Sequence, residues 1–507
     1  MFSSIQSIAL QGITGIIVNV ETDVRQGLPN FSMTGCGSSQ VKEAGERVSS
    51  AMANSGFKSE PCKILVNLSP AEVKKEGTGF DLPIALALLS EKLPYDKELL
   101  KETIFAGELG LDGSVRKIRG ILPLAEAAAA AGMKHFVIPA DNASEVSFTN
   151  NIETIPVKTL NDAVGFCTGA RVEMPETAVP RISQDHNSDV PDFSEIQGQA
   201  NVKRALMVAA AGMHNILMIG PAGSGKTMLA KSLPGIMPPM DEAERNETVN
   251  IYSVAGKFDQ CPAVFGIRPM RCPSSTISSK HLIGDAAGIP GEISLAHRGV
   301  LFLDELPEFD RKVTDSLRTP LEEGCVRLSG RSSEDVFPSE VLLAAAMNPC
   351  RCGFYPDRRL CRCNENDVRK YLDKISRPMI DRFDIFSEAG RISVKDMMEN
   401  GSGESSADVK KRVILARERQ KERLSPLSVH FNAQIPGKVT LEVCRLSPDA
   451  RELLLSAYDR LCLSLRGYHR MIRVARTIAD IEEHDDITTG DMAEAIHYRE
   501  IAARFWG

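Results

Sequence analysis

The segment GPAGSGKT at residues 220–227 constrains the fold of this chain more than any other feature. It fits the pattern G-x-x-x-x-G-K-S/T and lies between an apolar run, NILMI (215–219), and a helical pattern, TMLAKSL (227–233). Glycines at such a turn let backbone N–H groups point at phosphate oxygens, and the N-terminus of the following helix adds partial positive charge. The sequence therefore predicts a phosphate-binding loop between a strand and a helix of a parallel α/β sheet.

This loop supplies the predicted contacts to a nucleoside triphosphate. Lys226 is expected to hold the β- and γ-phosphates, and the Thr227 hydroxyl to bind Mg²⁺. Backbone N–H groups of the other positions are expected to cradle the phosphates. The predicted ATP-binding residues of the loop are Gly220, Pro221, Ala222, Gly223, Ser224, Gly225, Lys226 and Thr227.

Two further apolar runs, GVLFLDE (299–305) and VLLAAAMN (341–348), lack alternation, as strands of a covered parallel sheet do. Asp304 ends the first run, at the strand end where such sheets bind ligands, and is expected to complete the Mg²⁺ shell. Glu305 is expected to orient and polarise the attacking water, which predicts ATP hydrolysis. Asn348 ends the second run, where it either bonds the γ-phosphate or water, or forms an ordinary Asn-Pro turn.

A later segment, SRPMIDRFDIF (376–386), sets Arg382 among apolar residues. One interpretation is a surface arginine paired with Asp381 or Asp384. The other is an arginine finger offered to the ATP of a neighbouring subunit, a contribution worth about 10³–10⁵ in rate. We expect the catalytic role.

The segment GYHRMIRVARTIADI (467–481) is the predicted helix of a lid. Its apolar positions face inward, which leaves arginines to reach the phosphates. Arg473 is the expected contact, with Arg470 and Arg476 as alternatives.

Four of the twelve cysteines lie within residues 350–363, directly after the predicted γ-phosphate sensor. Four thiolates are the number that a structural tetrahedral Zn²⁺ site requires. The C-x-C spacing is tighter than the common spacing of zinc ligands, so reduced free thiols and redox chemistry stay open. The predicted zinc ligands are Cys350, Cys352, Cys361 and Cys363.

The net charge of −7 gives no overall basic field, so nucleic-acid binding has to come from local patches. One candidate is a predicted hairpin at 326–338, with Arg327 and Arg331 as phosphate contacts. The insert at 268–284 adds Arg268, Arg271 and Lys280. The alternative is that these are ordinary solvated charges.

The chain divides by pattern into an α/β unit at 1–168, a linker rich in Pro, Ser, Asp and Asn at 169–191, a second α/β unit at 192–388 and a helical region at 389–507. Apolar runs are shorter than the roughly 18 residues that would span a membrane. The first basic residue is Arg25, so we expect no secretory signal and a cytoplasmic protein with reduced thiols.

The longer motifs are HNILMIGPAGSGKTMLA, GVLFLDELPEF, AAMNPCRCGFY, RGYHRMIRVARTIADI and, near the start, VNLSPAEVKKEGTGFDLPIALALL. Together they resemble the ComM/YifB-type Mg-chelatase-like AAA+ ATPases over essentially the whole chain. The resemblance implies an N-terminal domain like the Lon C-terminal domain (ribosomal S5 domain 2-like), an AAA+ core and a C-terminal helical lid.

The resemblance also implies function. ComM-branch members form hexameric rings that act as ATP-driven DNA branch-migration helicases in recombination of incoming DNA during natural transformation. We expect the same here, with branched or single-stranded DNA bound independently of sequence. A magnesium-chelatase motor subunit and a protein-remodelling ATPase are the alternatives.

The sequence departs from the family pattern at three places. Ser274 and Ser275 stand where the family usually has two histidines, and Ala222 stands where proline is usual. In the first domain, the region that holds the nucleophilic serine of Lon-type enzymes offers Gly79 beside Thr78. Thr78 is expected to be a turn residue, so no protease activity is expected.

Overall fold

The computed structural model describes residues 2–35, 41, 43–57, 61–73, 75, 77–147, 152–170, 190–329, 334–390, 403–427, 429–461 and 463–506. In the amino-terminal unit the strands are β1 (Phe2–Gln11), β2 (Thr14–Gln26), β3 (Asn30–Thr34), β4 (Cys62–Ser69), β5 (Thr103–Phe105), β6 (Glu108–Leu109), β7 (Val115–Arg116), β8 (His135–Pro139) and β9 (Glu153–Val157). Its helices are α1 (Ala44–Asn54), α2 (Asp81–Leu89), α3 (Lys97–Lys101), α4 (Ile121–Ala130), α5 (Ala143–Val146) and α6 (Leu160–Cys167).

This unit contains two main sheets, one of order β1-β2-β4-β3 and one of order β5-β8-β9. In the first sheet β3 runs parallel to β4 and the other neighbours are antiparallel, whereas the second sheet is parallel. Helix α2 is buried along its whole length. Its one acidic residue, Asp81, is neutralised by Arg47, whose Nε and Nη2 donate to the carboxylate at 2.7 and 2.9 Å. The unit is therefore a mixed α/β domain with its own core.

The second unit is built on a parallel sheet of order β11-β12-β15-β10-β16. Its strands, with a separate hairpin β13-β14, are β10 (Ile216–Ile219), β11 (Met270–Arg271), β12 (Val300–Leu303), β13 (Cys325–Ser329), β14 (Glu334–Pro338), β15 (Leu342–Met347) and β16 (Ile385–Glu388). Its helices are α7 (Ala200–Gly212), α8 (Lys226–Lys231), α9 (Leu233–Ile236), α10 (Glu242–Val254), α11 (Ser279–Ile283), α12 (Glu292–Leu295), α13 (Arg311–Ser316), α14 (Arg318–Glu323), α15 (Glu365–Leu372) and α16 (Arg377–Ile380).

The three apolar runs of the sequence form the centre of this sheet, as predicted: β12, β15 and β10 are neighbours in that order. Side chains alternate between two cores, because both faces of a parallel sheet are covered. Ile216, Phe302 and Ala344 enter one core, and Leu217, Leu303 and Met347 enter the other. The strand that precedes the phosphate-binding loop is thus held on both sides.

The carboxyl-terminal region is helical: α17 (Ser406–Leu424), α18 (Thr440–Val443), α19 (Pro448–Arg460), α20 (Leu465–Ile481) and α21 (Thr489–Trp506). Helices α17, α19 and α20 share the core that α7 forms on one face of the sheet. The end of α21 packs on the other face, where the Trp506 and Phe386 rings lie 6.1 Å apart. No helix among the described residues is long and apolar enough to cross a membrane.

The turn between β1 and β2 lies against the β13-β14 hairpin. Gly12 N–H donates to Asp335 Oδ1 at 3.1 Å, and this carboxylate is buried. Gly12 has φ of +58°, and a Cβ there would lie 2.7 Å from Val336 O, so only glycine fits this contact. The amino-terminal unit therefore touches the second unit at the β13-β14 hairpin.

Candidate functional site

The phosphate-binding loop lines a cavity of about 360 Å³ at the carboxyl edge of the parallel sheet. The residues that the sequence singled out at the ends of β12 and β15, Asp304, Glu305 and Asn348, line the same cavity. Gly223 and Gly225 have φ of +76° and +83°, the left-handed conformation in which the loop turns its N–H groups inward. The structure thus brings the predicted nucleotide residues of all three strands together.

Lys226 is held across the loop in this cavity. Its Nζ donates to the carbonyl oxygens of Gly220 and Pro221, both at 2.8 Å, and lies 3.3 Å from Asn348 Oδ1. Burial lowers the pKa of the Lys226 ammonium, while the carboxylates of Asp304 and Glu305 oppose that shift. A phosphate group that entered the cavity would supply the anionic partner that this ammonium has only in part.

Thr227 and Asp304 form the opposite wall. Thr227 Oγ1 donates to Asp304 Oδ2 at 2.7 Å, and Asp304 Oδ1 accepts the Glu305 N–H at 2.9 Å. A hydroxyl and a carboxylate oxygen at this distance are the ligands that Mg²⁺ takes beside phosphate. Glu305 is exposed and has φ of +53°, an uncommon conformation for a residue other than glycine. The backbone strain at Glu305 is the kind that clusters at functional sites.

Gln199 is a contact that sequence reasoning missed. Its Nε2 donates to Ser224 O in the loop at 3.2 Å and to Gly390 O at 2.7 Å. Gln199 has φ of +57° and precedes helix α7, so the chain turns sharply to bring its amide to the loop. The only sequence signal was a Gly-Gln pair before a helix, which by itself indicates a helix start and no ligand. Beside it lies a second cavity of about 380 Å³, lined by Phe193, Ile196 and Met207 among others.

The opposite, amino edge of the sheet is organised by Asn215, which precedes β10. Its Nδ2 donates to Arg382 O at 2.9 Å, its Oδ1 accepts the Leu343 N–H at 2.9 Å, and its N–H donates to Asp384 Oδ2 at 3.0 Å. Although burial alone would raise the pKa of Asp384, Arg470 and His214 lower it to about 2. This network fixes the turn of Arg382 beside the amino ends of β10 and β15.

Arg382 therefore lies far from the phosphate-binding loop of its own chain. Strands β10 and β16 are parallel, with Ile216 opposite Ile385. The loop follows the carboxyl end of β10, whereas Arg382 precedes the amino end of β16. A four-residue strand separates two such points by roughly 13 Å. If Arg382 acts on a nucleotide, that nucleotide belongs to another chain.

Arg382 lines a cavity of about 650 Å³ at this amino edge. Its side chain is 5% exposed, and Nη2 pairs with Glu322 Oε1 at 2.7 Å, so its partner is neither of the aspartates considered from the sequence. Burial lowers the pKa of the Arg382 guanidinium, and Glu322 opposes that shift. Arg473 lines the same cavity and donates to Ala433 O at 3.2 Å. The structure places Arg473 with Arg382, not in the cavity of the phosphate-binding loop.

Comparison with known proteins decides the family. The family described as magnesium chelatase, subunit ChlI, matches residues 192–397, and its companion descriptions match 20–142 (subunit ChlI of Mg-chelatase) and 403–499 (the ChlI C-terminal region). Competence protein ComM of Haemophilus influenzae is 38% identical over 502 residues, which cover 98% of this chain and 97% of ComM. The chain belongs to the ComM/YifB-type Mg-chelatase-like AAA+ family.

Other relatives agree with this placement. The protein YifB of Escherichia coli is 39% identical over 510 residues, 98% of this chain and 97% of YifB. The archaeal Lon protease of Methanocaldococcus jannaschii is 35% identical over 267 residues, 50% of this chain and 34% of that protease. The fold expected from the sequence is confirmed: an AAA+ parallel-sheet core and a helical carboxyl-terminal region, with sequence similarity to a Lon protease. Membership in this family implies an ATPase that uses ATP and Mg²⁺.

In this Mg-chelatase-like AAA+ protein the four clustered cysteines converge. Cys352 Sγ lies 3.3 Å from Cys350 Sγ and 3.5 Å from Cys361 Sγ, and all four sulfurs, with Cys363, lie within 4.8 Å of one another. Four thiolates bound to one Zn²⁺ at about 2.3 Å have sulfurs roughly 3.8 Å apart, so the cluster fits that ion. A disulfide needs about 2.05 Å. The residues present thus fit a tetrahedral thiolate site.

The loop that carries these cysteines lies beside the phosphate-binding loop. Gly353 has no side chain, and a Cβ added there would come within 3.6 Å of Ala222 N and 3.7 Å of Pro221 Cα. On its other side the Tyr355 ring meets the Phe505 ring edge-on at 6.2 Å. We call residues 350–363 the cysteine clip. The clip lies between the nucleotide cavity and the last helix, α21.

The residues expected to contact DNA differ in how exposed they are. Arg268 was wrongly expected to face DNA: it is 5% exposed and bonds Pro238 O, Arg298 O and the Glu244 carboxylate. Its long side chain crosses an inter-element gap and satisfies buried carbonyls, which the sequence pattern does not reveal.

Arg271 is paired with Glu292 at 2.5 and 2.8 Å, whereas Lys280 is mostly exposed beside Asp285. Arg327 is exposed on strand β13 and pairs with Glu323 and Glu334 at 3.1 and 3.4 Å. The predicted hairpin is confirmed as β13-β14, and Arg331 lies outside the described residues.

The positions that replace the family's histidine pair lie on a turn before α11. Ser274 Oγ and Thr276 Oγ1 are 3.0 Å apart, and the Ser278 hydroxyl caps α11 by accepting the His281 N–H at 3.4 Å. The hydroxyls of Ser274, Thr276 and Ser278 bond within this segment, so they stabilise the turn and the start of α11.

Proposed function

We propose that the chain is the subunit of an ATP-hydrolysing AAA+ ring motor that remodels DNA, a branch-migration helicase of the ComM kind acting in recombination of incoming DNA. The observation that carries the proposal is the position of Arg382, at the edge of the sheet opposite its own phosphate-binding loop. One chain thus holds two halves of an ATPase site that cannot meet. A second copy supplies the missing half.

Head-to-tail contact of the two edges generates a closed ring when the rotation closes, and a hexamer is the ring that we propose. In each interface Arg382 and Arg473 of one subunit face the triphosphate bound by the next. This assigns Arg473 to the same interface as Arg382, because both line one cavity. The chain's own lid then completes its neighbour's site.

Within one subunit we assign the residues as follows. Lys226 binds the β- and γ-phosphates, and Thr227 with Asp304 holds Mg²⁺, which neutralises phosphate charge when bound. Asn348, 3.3 Å from Lys226 Nζ, bonds the γ-phosphate without neutralising that ammonium. Glu305 orients the attacking water and accepts its proton.

Gln199 supports a position for the adenine base of ATP. Its amide ties the phosphate-binding loop to the neighbouring cavity of about 380 Å³. Apolar side chains of Phe193, Ile196 and Met207 line that cavity, and a planar base buries well against such a surface. We place the adenine there.

The action on DNA rests on the β13-β14 hairpin and on the relatives. Exposed Arg327 lies on the hairpin, and Lys280 is exposed on the neighbouring insert. The relative from Haemophilus influenzae is named a competence protein. Contacts of this type bind phosphates independently of sequence and weaken with salt.

We further propose that Cys350, Cys352, Cys361 and Cys363 hold one Zn²⁺. Four protein thiolates leave no open coordination position, so the ion would act as a structural crosslink. The cysteine clip lies beside the phosphate-binding loop at Ala222, so the crosslink would support the nucleotide cavity.

The amino-terminal unit is proposed to have no peptidase role. The Thr78 hydroxyl donates to the Glu108 carboxylate, as a turn residue does, and Gly79 occupies the place of the Lon-type serine. ATP-dependent degradation of casein by the purified protein would contradict this.

The decisive experiment measures ATP turnover with no DNA, single-stranded DNA and a branched DNA, together with native mass. We expect stimulation by DNA and a mass of six chains. Stimulation by a porphyrin-metallating partner instead would indicate a chelatase motor. Turnover that ignores DNA, with a stable protein client, would indicate a protein-remodelling ATPase.

A further inference from the structure

Glu322 occupies an unusual position between two arginines. Its Oε1 pairs with Arg382 Nη2 at 2.7 Å and with Arg466 Nη1 at 3.2 Å. Glu322 is half exposed at 46%, whereas the Arg382 side chain is almost fully buried. One carboxylate oxygen therefore serves two guanidinium groups at the mouth of the amino-edge cavity.

The other carboxylates that line this cavity are engaged elsewhere. Asp384 pairs with Arg470 at 3.5 Å, Glu340 pairs with Arg298 at 2.6 Å, and Glu323 pairs with Arg327 at 3.1 Å. Glu322 is thus the acid that neutralises Arg382 in the isolated chain. A phosphate oxygen is a stronger partner for guanidinium than a shared carboxylate, and its charge repels Glu322.

Glu322 is also joined to the hairpin. It lies at the end of α14, and Gly324, with φ of +68°, turns the chain directly into β13. The next residue, Glu323, pairs with Arg327 on β13. Only two residues separate Glu322 from the first residue of β13, so a shift of the end of α14 would carry the base of the β13-β14 hairpin with it.

We infer that Glu322 is a latch: it holds Arg382 and Arg466 until the triphosphate of a neighbouring subunit enters the cavity, and its release moves the β13-β14 hairpin. Glu322 is thus a positioning residue, and Arg466 is a second arginine that turns to the incoming phosphates. The inference rests on the proposed trans role of Arg382. It gives a route by which ATP bound to one subunit changes the position of the hairpin in the neighbouring subunit.

The test compares Glu322→Gln with Glu323→Gln, a control that removes the adjacent charge and its pair with Arg327 but no contact to Arg382, so that the effect of losing the Arg382 pair is separated from that of losing a hairpin pair. Turnover without DNA is expected to rise about two- to fivefold in Glu322→Gln, the rate equivalent of a partly exposed ion pair. Stimulation by DNA is expected to fall in the same proportion. Glu322→Asp keeps the carboxylate and should restore the latch in part.

Hydrogen exchange of segments 325–329 and 334–338, with and without the slowly hydrolysed analogue ATPγS, separates a latch from a merely structural residue. In the parental protein the analogue should change exchange in both segments. In Glu322→Gln the nucleotide-free protein should already exchange at the nucleotide-bound rate, with native mass unchanged. Parental turnover and parental exchange in Glu322→Gln would overturn the inference.

Failure of the proposed function has a different signature. If Arg382→Ala hydrolyses ATP normally, the trans role itself is wrong and the latch fails with it. If Arg382→Ala is inactive while Glu322→Gln behaves like Glu323→Gln, only the latch is wrong.

Discussion

The two edges of the parallel sheet are built on opposite principles. At the carboxyl edge, Lys226, Thr227 and Asp304 are ordered by hydrogen bonds within the chain but keep an open cavity between them. At the amino edge, Arg382 is closed onto Glu322 and almost fully buried. The first edge is open to a ligand, whereas at the second the Arg382 guanidinium is already paired.

This difference teaches how the site is divided. Buried cations are stable only when they are paired, so the amino edge carries its own carboxylates for the state without a neighbour. At the carboxyl edge, backbone carbonyls hold the Lys226 ammonium, and the charges of Asp304 and Glu305 offset only part of the effect of its burial, which leaves the ammonium free to take a phosphate. Under the proposed function, nucleotide binding is therefore a property of one chain, and hydrolysis a property of two.

The strongest test of this division mixes two inactive variants. Arg382→Ala should lower turnover by about 10³–10⁵, and Glu305→Gln should bind ATP with greatly reduced turnover. In random mixed rings about a quarter of interfaces pair an intact Glu305 with an intact Arg382 of the next subunit. Turnover should therefore recover toward a quarter of the parental value. The measurement is ATPase rate against mixing ratio.

Two results would contradict the division. Full turnover by a dilute sample of demonstrated single-chain mass would show that one chain suffices. Absence of recovery in mixtures whose native mass shows both variants in one ring would place Arg382 outside its neighbour's site.

The next largest effect belongs to the carboxyl edge alone. Lys226→Ala removes the one ammonium in contact with Asn348 and the loop carbonyls, and should lower turnover by about 10²–10³. Nucleotide affinity should fall with it, even in single chains. Lys231→Ala, exposed on the same helix, is the control. Unchanged binding of a fluorescent ATP analogue to Lys226→Ala would move the site elsewhere.

The carboxyl edge could be predicted from sequence because each of its parts leaves a local signal. A loop pattern and unbroken apolar runs identify β10, β12 and β15, and parallel strands end at one edge by geometry. The side chains of Asp304 and Asn348 then had to lie near Lys226. Glu305 was located in the same way, although its left-handed backbone leaves no signal.

The amino edge could be predicted only in outline. Arg382 was found from its setting, but its carboxylate partner, Glu322, lies 60 residues away in sequence and depends on tertiary packing. Arg268 looked like an exposed cation because sequence does not show which long side chains cross a buried gap. Gln199 was missed for the related reason that one amide has no periodic pattern.

Arg473 offers a finer test of the same edge. Its guanidinium donates to Ala433 O and forms no ion pair among the described residues; burial lowers its pKa and the charge of Asp384 opposes that shift, so phosphate would improve its contacts. Arg473→Ala should lower turnover about 10- to 100-fold with little change in ATP affinity of a single chain. Arg451→Ala, exposed on helix α19, is the control. A large loss of single-chain affinity would place Arg473 at its own chain's nucleotide instead.

The smallest expected effect concerns the cysteine clip, which lies beside the phosphate-binding loop at the carboxyl edge. Cys361→Ser should remove one zinc per chain and lower the melting temperature by a few degrees, at about 2–4 °C for each kcal/mol lost. Cys272→Ser, exposed and outside the clip, should leave both unchanged.

Fluorescence of Trp506, the one tryptophan of the chain, can report a loosened clip. Trp506 packs beside Phe505, and the Phe505 ring contacts Tyr355 of the clip. Its emission should shift to longer wavelength in Cys361→Ser as the clip loosens. ATP affinity should weaken modestly because Gly353 of the clip lies beside Ala222 of the phosphate-binding loop, whereas complementation by Arg382 in mixed rings should persist. Loss of complementation with intact ATP affinity would show that the clip supports the amino edge and not the carboxyl edge.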